Sequence, residues 1–290
     1  MVGDRFQEEF GAPAGTVPIG AKTIGVMGGL QLFGCPQPVA ATLLANMVQS
    51  GATSITVEDD VSNTWKAGDE IVIAPTSYDA REAEKVTVQS VTGNVVTFVP
   101  ALTFTHTGVL DTTDHGVHMG AEVIHLTRNI KIDGLADSEN LFGGRIVVVR
   151  SDDGSTYRHG WAQLDNVEFV HMGQFGHTRK DDLRTPIAFY HIGNQAQGAQ
   201  KRSFIRHCAI HDTYNGAISI GRGTDELTVT GNVIYKTVAD AVNVLGADTI
   251  VTNNVIIFIR NRFLYQNMYL QQLLGNAEPE QVNLPAMVTA

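Results

Sequence analysis

The chain has 290 residues, 43% of them hydrophobic, enough for one large domain or two small ones with a sizeable core. Its 30 acidic and 20 basic residues give a formal charge of −10, which argues against nucleic acid and anionic membrane surfaces as partners. The 29 glycines, 9 prolines and abundant Val, Ile and Thr lean towards β-structure with many turns.

After Met1 the chain runs VGDRFQEEF, polar and acidic, which does not read as a signal peptide. No stretch approaches the roughly 18 apolar residues that a membrane span needs. The best candidate, VIIFI at 255–259, is cut short by Arg260 and Arg262. Residues 1–50 form a lead-in, and a small antiparallel β-module is expected over 51–108. Its strand-like runs are SITVEDD (54–60), GDEIVIAP (68–75), EKVTVQSV (84–91) and NVVTFVPA (94–101), with TG at 92–93 as a hairpin turn. The module either precedes the repeats described below or is inserted among them. Next comes DHGVHMG (114–120), whose Asp114, His115 and His118 have the beginnings of a metal-ligand spacing. A fourth ligand is not evident, so the stretch reads as loop polarity and no metal or cofactor is assigned. GGRIVVVRS (143–151) is a further strong strand.

From here the sequence repeats. TVTGNVI (228–234) returns as IVTNNVI (250–256), offset by 22 residues. FIRHCAI (204–210) fits 24 residues upstream, and QLDNVEF (163–169) fits 41 residues before that. AISI (217–220) recurs as AVNV (241–244), again 24 residues on. Repeats of this length point to a solenoid. The alternating apolar residues, with Gly and Asn at the joints, exclude helical repeats, and the Leu ladder of a leucine-rich repeat is missing. The fold predicted over 109–260 is therefore an all-β, right-handed parallel β-helix, its coils stacked at about 4.8 Å. Leu164, Ile205, Val229 and Val251 form one expected inward stack, and Phe169, Ile210, Ile234 and Ile256 another. Asn232 and Asn254 are expected at one bend, where Asn tolerates left-handed backbone and stacked amides bond along the axis. From Asn261 to the end the β pattern fades into an irregular or short helical tail.

Candidate chemistry falls between the repeats. The 41-residue spacing is nearly one coil too long, and the surplus is the polar loop GQFGHTRKDDLRTP (173–186). Its His177, Arg179, Lys180 and Arg184 are the candidate ligand-binding residues. Glu168, His171, Asp181 and Asp182 are the alternative acid–base set, with Asp212 a further carboxylate, because glycosidic cleavage needs two carboxyl groups flanking the bond. A solvated loop is the plainer account of these residues. In HCAIHDT (207–213), Cys208 falls on the Asn232 phase and reads as a bend residue, not a nucleophile. The thiols Cys35 and Cys208 lie far apart in sequence, fit no disulfide framework or zinc-finger spacing, and are expected to stay unpaired. GRGTDE (221–226) opens no helix and is a turn rather than a phosphate loop. Tyr157, Trp161 and Tyr190 offer rings that could stack on sugars, although isolated aromatics are more often packed.

Four strings in order, TWKAGDEIVIAPTSYDAREAEKVTVQSV, AEVIHLTRNIKIDG, WAQLDNVEFVHMGQFGHT and RHCAIHDTYNGAISIGRGTDELTVTGNVIYKTVADAVNV, resemble the fibrocystin and fibrocystin-L family. Less closely, they resemble the hyaluronan-binding and hyaluronidase proteins that share a G8 domain. The resemblance covers roughly residues 25–257. It implies the tail of a G8 domain around AKTIGVMGGLQLFG (21–34), parallel β-helix repeats, an extracellular or cell-surface location and, in the family, a membrane anchor. The hyaluronan-degrading relatives carry a histidine-rich stretch where this chain reads TPIAFYHIG (185–193) and keeps only His191. The expected function is a non-catalytic module that binds an extracellular glycan or a protein along its side. The alternatives are a glycosaminoglycan-degrading enzyme and a structural spacer of a surface coat.

Overall fold

The computed structural model describes residues 20–110, 118–136, 141–152, 157–175, 183–194 and 201–260. Three ladders of parallel strands run through it, and each turn of the chain contributes one strand to each ladder. The first ladder stacks Thr23–Val26, Arg145–Asp152, Ile187–Tyr190, Ile218–Ile220 and Val242–Val244. The middle ladder stacks Gly29–Phe33, Trp161–Asp165, Phe204–Arg206, Thr228–Thr230 and Ile250–Thr252. The third stacks Ile130–Asp133, Val167–Val170, Ala209–His211, Val233–Val238 and Val255–Arg260. These are five coils of a three-sided parallel β-helix.

The register is the one that the repeat implies. Leu164, Ile205, Val229 and Val251 are successive partners in the middle ladder. Phe169, Ile210, Ile234 and Ile256 are successive partners in the third. In both columns the first three members are completely buried. Burying each such side chain contributes roughly 1.5–3 kcal/mol, so like residues at equal phase make one continuous core along the axis. Ile218 likewise pairs with Val242.

The corners follow from backbone sterics. Between the middle and third ladders the chain turns at a single left-handed residue: Asn166, His207, Gly231 and Asn253, with φ of 54°, 53°, 65° and 55°. The left-handed residue is thus one position before Asn232 and Asn254, not those asparagines as the repeat suggested. The two asparagines still form the expected ladder. Asn232 Nδ2 donates to Asn254 Oδ1 at 2.9 Å, and Asn232 Oδ1 accepts from the Cys208 amide at 3.0 Å. Asn232 also donates to Ile205 O and Asn254 to Val229 O. Each amide thereby satisfies backbone groups that the corner takes out of the ladder, the requirement for any buried polar group. A second column of left-handed residues, His171, Asp212, Lys236 and Phe258, bends the chain again within or just after the third ladder.

The antiparallel module lies inside the first coil. The chain leaves the coil at Gly34, whose amide donates to Asp165 O, and re-enters at Ile130. Between them six antiparallel strands run in the order Ala41–Leu43, Glu122–His125, Glu70–Ile73, Glu84–Thr92, Val95–Val99 and Ser54–Thr56. The outer two strands are joined by a Leu44–Val57 bridge, so the sheet closes on itself as a small barrel. Closure removes the open edges that would otherwise template pairing with another chain. Its interior is filled by Trp65, Phe98, Leu44, Ile71, Ile73 and their neighbours. The hairpin turn is Gly93–Asn94, because Thr92 pairs with Val95; it lies one residue later than the predicted TG. Residues 23–33, before the barrel, are strands of the first coil.

The three outer faces of the coils differ. On the third ladder, Ala209, Val233, Tyr235 and Ile257 pack against Val72, Ala74, Ile124 and Leu126 on the barrel exterior. On the first ladder, Val147, Val149 and Ala188 are buried beside Leu183 and Tyr190. The outward residues of the middle ladder are exposed or half-exposed in every coil.

Candidate functional site

The densest set of ionisable groups lies where the barrel meets the third ladder. Strand alternation explains why they converge. Phe169 points into the coil, so Glu168 and the strand partners of Val170 point out towards the barrel. Glu168 is only 2% exposed and takes a Lys131 ammonium at 2.6 Å and the Arg128 amide at 3.0 Å. One coil on, fully buried His211 sits between two carboxylates. Its Nδ1 is 3.0 Å from Asp212 Oδ2, and its Nε2 is 3.4 Å from Glu168 Oε1, an ion-pair contact without an aligned hydrogen bond. Asp212 also holds Lys236 at 2.9 Å and Lys85, from the barrel, at 3.2 Å. Lys85 reaches on to Glu70.

A second arm enters from the barrel. His125 Nε2 is 2.9 Å from Asp69, and its ring stacks on Trp65 with centroids 5.4 Å apart. Arg128 donates Nη1 to His125 O and Thr127 O, and Nε to His207 O in the third coil. A chain of polar contacts thus runs from Asp69 through His125 and Arg128 to Glu168, and on through His211 to Asp212 and Lys85, stitching the inserted barrel to coils two to four.

The protonation states follow from these partners. Burial opposes charge on Glu168, but His211, Lys131 and the Arg128 amide outweigh it and hold the carboxyl at about 2. Asp212 is likewise held well below the carboxylate range, against burial, by His211 and the two lysines. His211 is raised despite burial, because both neighbours are anionic. His125 moves the other way, lowered by burial with only partial compensation from Asp69. Burial also pushes the Cys208 thiol up to about 12, which removes it as a nucleophile. Cys208 is buried and Cys35 exposed, and both are free thiols. A carboxylate locked ionised beside a buried imidazolium has neither a proton to give nor an open path to a substrate. The seam is built to hold two folded units together.

The remaining sequence candidates are dispersed. His171 is half-buried with Nδ1 at 3.0 Å from Asp133. Arg184 is half-buried, and its carbonyl accepts from the Gln174 amide. His177, Arg179, Lys180, Asp181 and Asp182 lie outside the described residues, as do Asp114 and His115. His118 opens the short strand His118–Gly120. Among the described residues no group of three His, Cys, Asp or Glu side chains is placed to hold a metal ion. Gly223, in the predicted turn, is left-handed and leads into Thr224–Asp225, which pairs with Gly193–Asn194. One pair escaped the sequence reading: Asp165, in the second coil, bonds half-exposed His207 of the third at 3.0 Å and Arg206 at 2.7 Å. The 41-residue offset between Leu164 and Ile205 already places Asp165 beside Arg206 and His207, but only a register makes that visible.

Strand pairing and the seam define the class: a parallel β-helix whose first coil carries a closed β-barrel locked against one outer face. The chain belongs to the CEMIP β-helix family, whose model matches residues 141–287, half of its length. It is 32% identical to human fibrocystin-L over 274 residues, covering 91% of this chain but 6% of that protein. A zebrafish cell surface hyaluronidase is 30% identical over 63% of this chain and 13% of its own length. The chain therefore spans a small fraction of the curated relatives it matches. A solved tailspike, gp54 of the Acinetobacter baumannii bacteriophage AP22, overlaps 81% of this chain and 48% of its own at 15% identity and a TM-score of 0.25. An overlap that loose carries no argument, and the fold rests on the strand pairing above.

Proposed function

We propose that this chain is a non-catalytic, extracellular β-helix module of a fibrocystin-like surface protein, and that it binds a glycan or a protein partner along its side. One observation carries the reading. The histidine that faces two carboxylates, His211, is fully buried between Glu168, also buried, and the largely covered Asp212, in an ionic seam between barrel and coils. That arrangement spends the best acid–base residues of the described chain on cohesion. Relatives of this chain are named for hyaluronan, among them the human cell migration-inducing and hyaluronan-binding protein, 28% identical over 70% of this chain, so hyaluronan is the first ligand to test. In this reading the loop 173–186 contributes His177, Arg179, Lys180 and Arg184 as contacts to acidic sugars.

The enzymatic reading keeps one supporting observation. Asp133–His171 and Asp165–His207 are solvent-reaching carboxylate–imidazole pairs, a geometry in which the carboxylate orients the base. The deciding experiment incubates long hyaluronan with the purified chain across pH, with and without calcium, and follows its size distribution. Unchanged chains, with retention on a hyaluronan column weakened by Arg184→Ala, support the binding module. Shortened chains that reappear full-length with Asp181→Asn plus Asp182→Asn overturn it, and so does cleavage lost with His207→Gln.

A further inference from the structure

We infer that the open face of the middle ladder is a binding platform for a carboxylate-bearing polysaccharide. The inference rests on the glycan-binding reading and assigns it a surface.

The argument starts with what is covered. The outer face of the third ladder is sealed by the barrel, and Val147, Val149 and Ala188 on the first ladder are buried. The middle ladder alternates buried and solvent-facing residues strictly in coils two to four, so its outward side chains form straight columns one strand spacing apart. One column runs Gln31, Gln163, Phe204, Thr228 and Ile250; the next runs Phe33, Asp165, Arg206, Thr230 and Thr252.

The contents of these columns are unusual for a solvated sheet. Trp161 lies flat against the sheet because its coil-one partner is Gly29, where a Cβ would sit 2.1 Å from the indole. Lys201 Nζ stands 5.1 Å from the centre of that ring. Phe204 packs on Phe33, which is half exposed, and the Arg206 guanidinium lies 4.3 Å from the Phe204 ring centre. Each of these two rings therefore carries a cation over it. Between the rings, Gln31 and Gln163 are linked amide to amide at 2.8 Å and present further donors and acceptors. The rings hold the cations in place, and the glutamine amides beside them offer hydrogen bonds to sugar hydroxyls. The cations over the rings suit a carboxylate on that same sugar.

Charge on this face is balanced. Lys201, Arg202 and Arg206 stand on or beside it with half-exposed His207, against Asp165, Glu226 and exposed Asp248, which falls in register with Glu226 one coil on. In a chain of net charge −10, an acidic sugar meets less repulsion here than the whole-chain charge implies. Arg206 and Arg202 engage Asp165 and Glu226, which leaves Lys201, over Trp161, as the cation for a ligand carboxylate.

The test uses the full chain, with hyaluronan, carboxyl-reduced hyaluronan and poly-L-glutamate as probes, and reads Kd by biolayer interferometry. The expected result is hyaluronan binding weakened roughly tenfold by Trp161→Ala and by Arg206→Gln, the loss of one ring or cation contact. Tyr78→Ala, on the exposed barrel loop, should leave it unchanged. Thr228→Glu leaves the ring, amide and cation contacts in place and adds a negative charge to the platform; it should weaken binding even if Trp161→Ala fails to fold. Carboxyl-reduced hyaluronan should bind more weakly than the parent polymer. Binding lost with Arg184→Ala but parental with Trp161→Ala, Arg206→Gln and Thr228→Glu overturns the platform and leaves the glycan reading standing. Poly-L-glutamate binding as tightly as hyaluronan makes the ligand an acidic peptide and overturns the polysaccharide assignment. No binding of hyaluronan by the parent chain overturns both readings.

Discussion

The outward faces of the third and middle ladders are built from the same repeat and meet opposite fates. On the third ladder the outward positions hold Glu168, His211 and Tyr235, and a folded barrel lies over them. On the middle ladder the equivalent positions hold Gln163, Arg206 and Thr230, and they meet solvent. Charged residues occur on both. On the covered face Glu168, His211, Asp212 and Lys85 each have a partner at ion-pair distance, and buried Arg128 is held by the carbonyls of His125, Thr127 and His207 instead, because an unpaired buried charge costs several kcal/mol. On the open face the pairs are screened by water, and their energetic weight is small. The inward columns behind both faces are alike, so the coil core does not decide which face is functional; the outward residues and their cover do.

The sharpest way to break this contrast is to remove His211. In His211→Ala, buried Glu168 and largely covered Asp212 lose the imidazole between them, and unfolding free energy should fall by about 3–5 kcal/mol in urea titrations. A loss below about 1 kcal/mol would mean that water enters the seam freely. Phe169→Ala should cost a similar 3–5 kcal/mol by opening a cavity in the coil core. The two variants separate by pH: the Phe169→Ala deficit should hold constant, and the His211→Ala deficit should shrink as pH rises through the raised folded value of His211.

Acid should act on the covered face. Glu168 has a folded value of about 2, below its ordinary 4.5, and Asp212 is lowered as well. A depressed carboxyl contributes stability that is complete above its unfolded value and is lost as pH falls through the folded one. Stability should therefore decline from about pH 4.5 towards pH 2, with Glu168→Gln flattening that decline. The raised His211 has the opposite sign: its contribution is complete below about pH 6.5 and fades as pH rises through its folded value. Chemical denaturation at a series of pH values measures both limbs.

A smaller effect tests the corner. Asn232→Ala strips hydrogen bonds from the Cys208 amide and from Ile205 O, and should cost roughly 1–3 kcal/mol. The smallest effect belongs to the open face. Thr230→Ala removes only an exposed hydroxyl contact to Thr252, and stability should change by less than about 0.5 kcal/mol. A larger change would mean that the middle face is covered after all.

The repeat made much of the coil stack legible. A period near 24 residues, with apolar residues at fixed phase, specifies which residues lie above one another, because a coil that closes must return the same phase to the same place. The paired columns through Ile234 and Ile256 follow directly. The Asn ladder was legible too, but not which residue bends: Asn253 and Asn254 are adjacent, both types tolerate the corner, and only the backbone assigns it to the first. Glu168 and Asp212 were visible as carboxylates near histidines, and the sequence raised them as acid–base candidates. What turned them into a seam was the barrel, which contributes Lys85 and Arg128 from 127 and 40 residues away in sequence.

Sequence alone determined the local periodicity, the inward columns and the antiparallel character of the module, because each depends on alternation along a strand and on short turns. Tertiary structure decided three further things: that the module springs from within the first coil, that it closes as a barrel, and that it covers the third face while the middle one stays open. The physical reason is range. Periodicity is written into neighbouring residues, but burial of an outward side chain depends on which distant segment packs against it, and a side chain's charge state and role follow from that burial.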